Sequence, residues 1–507
     1  MANTKIPSEL IDDDAITVDK LADSVSDTYA TKTYVLTGSG PTITSFVLNG
    51  TSLTVIEPST NQQINITGTN FQSGVRVQAI NTSTGAVTRA HTVTRNSTTS
   101  VHATFNIGTN GTYELQIINP NGANAVSSTN LEVSTGVTWS TGATLSSVTG
   151  NTALSGVTLT ATSDSTVSYS ETTSVLSGAG ITLNSTTGAL TGTPNPASTT
   201  TYTFTVRATD QESQTADREF SLTVTVLPTG GTIGTYSGYR SHTFTSSGTF
   251  VVPSTISVDY IIVAGGGGGS STTYHRGGGG GGAGGVITAT SQSLSAGNYT
   301  VTVGAGGTRT RTANFIDTGS RGGNSSFNSQ TATGGGLGNG RNSTGQSSTD
   351  YTTSTSIDGG SGGGGAASGS GSTTAGEGVS GQGYAGSAGR ADINGSSSQC
   401  GGGGGGASET PSLYAYNASG TGPAPGGDGI QNAYKTGSNI YYAGGGGGGY
   451  QSSTTQDSVG GQGGGGNGGS LSTNPTAGTD GLGGGGGGDG HYGGDGGDGV
   501  VIIRYSV

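Results

Sequence analysis

The chain has 507 residues, of which 29% are hydrophobic and only 9% charged, with a net charge of −12. Disordered chains pair low hydrophobicity with high charge, and this one is low in both. Its excess of glycine and small polar residues implies a structure held largely by main-chain hydrogen bonds. The absence of any Lys/Arg block argues against nucleic acid as a partner, and no apolar stretch approaches the length needed for membrane insertion. Cys400 is the sole cysteine, so no intrachain disulfide can form. Stability outside a cell would then come from another source, such as oligomerisation. Residues 1–16 lack the apolar stretch of a signal peptide, so release by lysis, not secretion, is expected.

Within residues 1–40, Ile11, Ile16, Leu21 and Val25 form a loose helical stripe. Asp13 or Thr17 is placed to cap a short helix over 17–27. The stripe is too narrow to bury itself on one chain. It reads as a docking or oligomerising segment, with a frayed tail as the alternative.

Residues 41–134 read as a β-sandwich. Phe46-Val47-Leu48, Leu53–Ile56, Gln63–Ile66, Val75–Ala79 and Tyr113–Ile117 mostly alternate apolar and polar residues, with turns expected at Asn49-Gly50 and Asn121-Gly122. Ile66-Thr67-Gly68-Thr69-Asn70-Phe71, followed by Gly111-Thr112-Tyr113-Glu114-Leu115, resembles the immunoglobulin-like IPT/TIG domains. Residues 135–228 form a second such unit, with strands over Val157–Ala161, Thr201–Val206 and Phe220–Val224 and Trp139 as a candidate core anchor. Gly180-Ile181-Thr182-Leu183 through Gly188-Ala189-Leu190-Thr191-Gly192-Thr193-Pro194 resembles the Ig domains of bacterial and phage surface proteins. Such modules imply spacers.

Residues 229–507 change character. Of 103 glycines, 81 lie within 264–507, in runs at 265–269, 277–282, 362–365, 401–406, 444–449, 463–466 and 483–488. There is no Gly-X-Y period, so this is not collagen. A flexible linker is the default for Gly/Ser-rich sequence, yet this region is framed by strand patterns at His242–Phe244, Thr249–Val252, Val258–Val263 and Val500–Tyr505, with Val286–Thr288 and Tyr299–Val303 inside it. The alternative is polyglycine II, an extended threefold helix whose N–H and C=O groups all point outward to neighbouring helices. The fold class is therefore mainly β: two immunoglobulin-like sandwiches in tandem, then packed polyglycine II helices beside a small β framework, after a short N-terminal helix.

The order Phe244–Pro253, Asp259–Gly269, Gly281–Val286, Ala296–Gly307, Gly322–Phe327 and Gly499–Tyr505 resembles the glycine-rich domain of phage tail adhesins. The resemblance implies a virion protein, assembled in the host cytoplasm and acting outside the cell. Its connecting loops would bind a host surface receptor, either a glycan or a porin-like protein. Residues 1–40 would dock to a tail or baseplate protein, and three chains would assemble. Loop chemistry does not carry over by position, so candidates come from aromatics between the runs: Tyr274, His275, Arg276, Tyr414, Tyr416, Tyr434, Tyr441, Tyr442, Tyr450, His491 and Tyr492. Tyrosine offers a flat face and a hydroxyl at low entropic cost. Packing at run ends is the competing role for Tyr441, Tyr442 and Tyr450. Tyr414 and Tyr416 are expected in one 37-residue insert over 407–443.

No enzyme is expected. Glu377 and Glu409 are isolated, so no glycosidase pair is present, and there is no nucleophile elbow, HExxH or CxxC. No cofactor or metal is expected: Asp489, Asp495 and Asp498 lack calcium-repeat spacing and read as turn formers. Cys400 reads as a small buried thiol. The alternatives are a secreted structural or matrix adhesin, a glycan-degrading tailspike and an ice-binding protein.

Overall fold

The computed structural model describes residues 40–48, 55–58, 61–272, 277–309, 319–340, 354–368, 371–372, 374–390, 399–412, 424–450, 458–470 and 472–507. The expected helix over 17–27 and the Asn49-Gly50 turn lie outside them. Two compact units emerge from the contacts, one of residues 1–146, 153–194 and 201–223, the other of 147–152, 195–200 and 224–507. The described residues are almost entirely β or extended, with short helices at Val175–Gly178 and Ser354–Ile357.

The first sandwich packs two sheets. One orders Thr42–Leu48, Gln62–Thr69, Ser100–Phe105 and Thr92–Ser97; the other orders Val55–Ile56, Asn124–Val133, Gly111–Ile118, Arg76–Asn81 and Val87–Arg89. Alternation decides the core. Ile64 and Ile66 of one sheet meet Leu115 and Ile117 of the other, all buried, in one cluster with Phe71 and Phe105. Gly68 has a steric reason within its motif: a Cβ there would stand 1.8 Å from the Thr42 carbonyl oxygen.

In the second sandwich, Ser168–Glu171 pairs antiparallel with Thr200–Thr209, and Ile181–Leu183 with Leu190–Gly192. Asn184 shapes the turn between the latter two. Its side-chain oxygen accepts the N–H groups of Thr186 and Thr187, each at 2.9 Å. Gly188 then takes φ +70, where a Cβ would lie 2.1 Å from the Leu159 oxygen. Trp139 is a core anchor: it is buried, 5.0 Å from the Phe220 ring centroid, and its Nε1–H donates to the Ala216 carbonyl at 3.0 Å.

The second unit opens on a five-stranded sheet, ordered Thr232–Tyr236, Tyr239–Phe244, Val500–Ser506, Ile256–Val263 and Val286–Leu294. Its central strands are apolar on both sides because both faces are covered. Val258, Tyr260 and Ile262 pack with Phe250, Val301 and Phe327 on one face. Ile261 and Val263 pack with Ala283, Tyr442 and Ala443 on the other. His242 is fully buried between Phe250 and Tyr505. Burial pushes its pKa below the ordinary imidazole value, although the Gly230 carbonyl at 2.6 Å opposes that shift.

Beyond this sheet the chain becomes a block of extended glycine runs, and the run over 277–285 shows its rule. The N–H groups of Gly278, Gly281 and Gly284 donate to Asp489, Gly486 and Gly483. Those of Gly279, Gly282 and Gly285 donate to Asn339, Gly336 and Thr333, and those of Gly280 and Ala283 to Gly402 and Gly405. Its carbonyls follow the same threefold rotation, accepting from the runs that begin at Ala264, Gly359 and Ala443. Three neighbouring runs thus take its protons and three others give theirs, the hexagonal surroundings of a polyglycine II helix. A Cβ on Gly281 would sit 2.1 Å from the Gly267 oxygen, and one on Gly446 2.1 Å from the Gly486 oxygen. No side chain fits between such helices. Alanine enters at 264, 283 and 443, where the runs meet the apolar core of the sheet.

At the rim of the block, side-chain oxygens replace missing neighbours. Asp498 accepts the Gly306 N–H at 2.7 Å, and Asp495 accepts that of Arg309 three residues on. Asn324 takes the Gly334 N–H at 2.9 Å and Asn467 that of Gly460 at 2.9 Å. Asp495 and Asp498 are therefore rim caps and not the expected turn formers. The outermost turn of the block does use Asp489, whose carboxylate accepts the N–H groups of Gly490 at 2.5 Å and Tyr492 at 3.3 Å.

Candidate functional site

The runs alternate in direction, so the glycine block has two ends of different chemistry. At the sheet end Ala264, Gly285, Thr333, Ala443, Leu482 and Gly483 come together through main-chain bonds. At the far end Ser270 bonds Gly279 and Asp489, Gly278 bonds Gly449, and Gly449 bonds Gly401. The connections after 270, 309, 339, 367, 390, 450, 469 and 489 all leave from that far end. Each glycine run fixes where its connection begins and returns, because its register is set by bonds to as many as six neighbours.

This two-ended order sorts the sequence candidates. Tyr274, His275, Arg276, Tyr414 and Tyr416 lie outside the described residues. Of the rest, Tyr434, Tyr441 and Tyr442 belong to the sheet end. The ring of Tyr434 lies 4.0 Å from the Arg504 guanidinium, with Tyr239 at 4.5 Å, and Arg504 is paired with Asp259 at 3.0 Å. The Tyr236 hydroxyl donates to the Tyr434 carbonyl at 2.6 Å. That arrangement is a clamp holding the Ile430–Asn432 and Ile440–Tyr442 hairpin to the sheet, not an open surface. Tyr442 is 1% exposed, and burial pushes its hydroxyl up to about 12. Tyr441 alternates with it on the strand and is half-buried. Tyr450 is at the far end but 5% exposed, its N–H bonded to Gly469. Tyr442 and Tyr450 thus pack inside the domain, the competing role weighed for tyrosines at run ends.

The 407–443 segment is not one insert. Residues 424–429, Ala-Pro-Gly-Gly-Asp-Gly, form a glycine run of their own, with Gly427 donating to Gly404 and Gly445 donating to Gly427. Its single non-glycine interruptions hid it.

His491 and Tyr492 are the far-end candidates that the described residues keep accessible. His491 is exposed and Tyr492 half-buried, their rings 6.1 Å apart. Arg309, which composition alone did not single out, closes over Tyr492 at 5.2 Å and donates from Nη1 to the Gly493 carbonyl at 2.7 Å. Beneath them Asp489 is buried, its carboxyl raised above the usual range by that burial. The result is an aromatic and cationic patch held from below by a carboxylate that fixes the 490–492 turn. Cys400 is buried at the same end, and burial pushes its thiol up to about 12, which keeps it protonated and unreactive.

In the second sandwich Asp164, Asp210 and Glu212 bring carboxylate oxygens within 4.8 Å of one another, the group of described residues able to ligate a cation. Hydroxyls already serve them: Ser134 donates to Asp164 at 2.9 Å and Ser163 to Asp210 at 3.1 Å.

The family model described as a glycine-rich domain matches residues 243–506, more than half of the chain. The chain belongs to the glycine-rich domain family. The match runs from the end of the Tyr239–Phe244 strand to the closing Val500–Ser506 strand, so three of the five strands of the sheet, the glycine block and both of its ends fall inside it. A model described as "Putative Ig domain" matches residues 137–225, the second sandwich. No curated protein matches the chain. Among solved structures, the C-terminal 282-residue fragment of intimin, in complex with the translocated intimin receptor's intimin-binding domain, is 13% identical over 37% of this chain and 64% of that one, with a TM-score of 0.25. Dpr2 Ig1–Ig2, in complex with DIP-Theta Ig1–Ig3, is 12% identical over 44% and 79%, TM-score 0.24. The protocadherin GammaB4 extracellular domain is 15% identical over 42% and 35%, TM-score 0.18. The glycine-rich chain thus spans less than two thirds of the intimin fragment and about a third of the protocadherin.

Proposed function

We propose that this glycine-rich protein is a tail fibre or adhesin of a phage virion, recognising a host surface receptor through the connections at the far end of its glycine block. The observation that carries this reading is the two-ended order. The connections that hold His491 and Tyr492 start and finish on a rigid main-chain scaffold, at the end away from the sheet where the chain enters the domain. A rigid base suits recognition by adaptable loops, because the cost of ordering the scaffold is met before the partner arrives. The receptor would be a glycan or an outer-membrane protein, and no catalysis is required. Residues 1–40 would dock to the virion and gather three copies, raising weak loop contacts through effective concentration.

The test is adsorption. Virions whose copy of this chain carries His491→Ala with Tyr492→Ala are expected to adsorb to host cells at least about tenfold more slowly, the loss of one good aromatic contact per site multiplied over copies. Unchanged adsorption by a protein that melts like the parent rejects the far end as the recognition surface. Absence of the chain from purified virions rejects the virion role itself.

A further inference from the structure

At the other end of the domain a cleft of about 640 Å³ runs along the outer edge of the five-stranded sheet, within the size typical of ligand sites, roughly 300–1,000 Å³. Its floor is the start of the Val286–Leu294 edge strand. Ile287 and Ile430 give it apolar walls, and Glu377, Tyr384 and Thr410 stand at its rim. Tyr384 is 49% exposed, a large aromatic face left to solvent. Neither its hydroxyl nor the Glu377 carboxylate has a side-chain hydrogen-bond partner among the described residues. Glu377 is instead held by its main chain, its N–H donating to Asp358 at 2.8 Å.

The floor supplies a further polar pair. Val286 directs its N–H away from the sheet, to the Gln382 carbonyl at 2.9 Å. The ladder to Ile256–Val263 is regular here, with Val286, Ile287 and Thr288 opposite Val263, Ile262 and Ile261. Two residues along an antiparallel strand the same groups face the same way. The N–H and C=O of Thr288 therefore point into the cleft.

A free strand edge usually invites another strand, but this one is blunted at both ends. Gln382 closes it at Val286. At the other end the register shifts opposite Val258–Tyr260 and Ser291 takes φ +52, which kinks the strand. The open stretch is too short for an extended peptide to pair along. What remains is one exposed aromatic face, one donor and acceptor pair on the floor, a free carboxylate and a threonine hydroxyl, in a pocket of ligand size. That set matches a hydroxyl-rich ring compound with one apolar face. The Glu377 carboxylate at the rim disfavours an anionic one.

We propose that this cleft is a binding site for a neutral saccharide, with a sugar ring stacked on Tyr384, its hydroxyls donating to Glu377 and exchanging hydrogen bonds with the Thr288 main chain. The site is independent of the far-end surface and does not rest on the receptor reading. The experiment uses the full chain on an array of neutral oligosaccharides built from glucose, galactose, mannose and N-acetylglucosamine, followed by titration of the best binder. Binding is expected to fall about tenfold or more in Tyr384→Ala, to weaken in Glu377→Gln, and to persist in the His491→Ala, Tyr492→Ala protein. Melting of each variant reports that the fold is kept. The proposal is overturned if no oligosaccharide on the array binds at millimolar concentration. Binding that survives Tyr384→Ala, or that is lost in the far-end variant instead, overturns it equally, as does an extended peptide taking the cleft in place of the sugar.

Discussion

In the first sandwich Ile64, Val101, Leu115 and Phe105 are wholly buried, and the interior is made of their side chains. In the glycine block Gly266, Gly281 and Gly446 are just as enclosed, and the interior there is main chain. The two regions are stabilised on different terms. Each apolar side chain removed from water contributes roughly 1.5–3 kcal/mol, so a sandwich tolerates an imperfect hydrogen bond at its margin. A glycine contributes no such burial and loses more conformational freedom on ordering than any other residue. Its return is a net of roughly 0.5–1.5 kcal/mol per main-chain hydrogen bond, plus close contact. The block is therefore viable only when nearly every N–H and C=O finds a partner. That requirement explains the threefold bonding of residues 277–285 and the side-chain caps at the rim.

The largest effect should come from the smallest side chain. In Gly281→Ala the new methyl would meet the Gly267 oxygen at 2.1 Å, main chain against main chain, with no flexible atom to yield. The loss is expected to exceed about 4 kcal/mol. In calorimetry the transition of the glycine-rich unit should collapse while that of the sandwiches persists. An unchanged thermogram would mean that the runs are not packed as described, and the contrast between the two regions would fail with it.

The sandwiches were readable because side-chain alternation reports a buried face directly. Gln62–Thr69 and Thr200–Thr209 follow it residue by residue. Thr92–Ser97 did not stand out, since none of its residues is fully buried. In the glycine block the pure runs were legible, and the mixed ones were not. Gly493-Gly494-Asp495-Gly496-Gly497-Asp498 and Gly383, Gly386 and Gly389 keep glycine at every third place, where the helix faces its neighbours. Asp495 and Tyr384 sit where these helices face out, while Ser387 is buried and accepts the Gly403 N–H at 2.9 Å. A local period of three is thus the signal of a peripheral run, even though no such period spans the chain. Which connections share an end follows from counting runs, and a missed run reverses the answer. Tyr434 and Tyr442 count among the loop candidates because each lies between glycine runs, and that position alone does not say which end a residue faces. The clamp around Arg504 joins residues more than 260 positions apart in sequence and left no local mark.

A middle-sized effect tests the rim. Asp498→Ala removes the acceptor for the Gly306 N–H, which lies 2.7 Å from its Oδ1. Leaving that donor without a partner should cost about 1–3 kcal/mol, seen as a lower melting temperature of the glycine-rich unit and faster exchange of the Gly306 amide. Asp498→Asn keeps an oxygen in place and should recover most of the loss. Equal damage from both variants would assign the effect to charge and not to capping.

The smallest effect has the opposite sign. Gly142 lies in the sandwich unit, exposed, with no atom within 4 Å of where its Cβ would stand and no positive φ. Alanine there fits the folded backbone and narrows the unfolded ensemble, so Gly142→Ala should stabilise by about 0.4–1 kcal/mol. The same chemical change at Gly281 and at Gly142 then moves two transitions of one protein in opposite directions. If both positions responded alike, the glycines of 264–507 would be serving flexibility and not close packing. Only close packing makes the sign depend on what surrounds the missing Cβ.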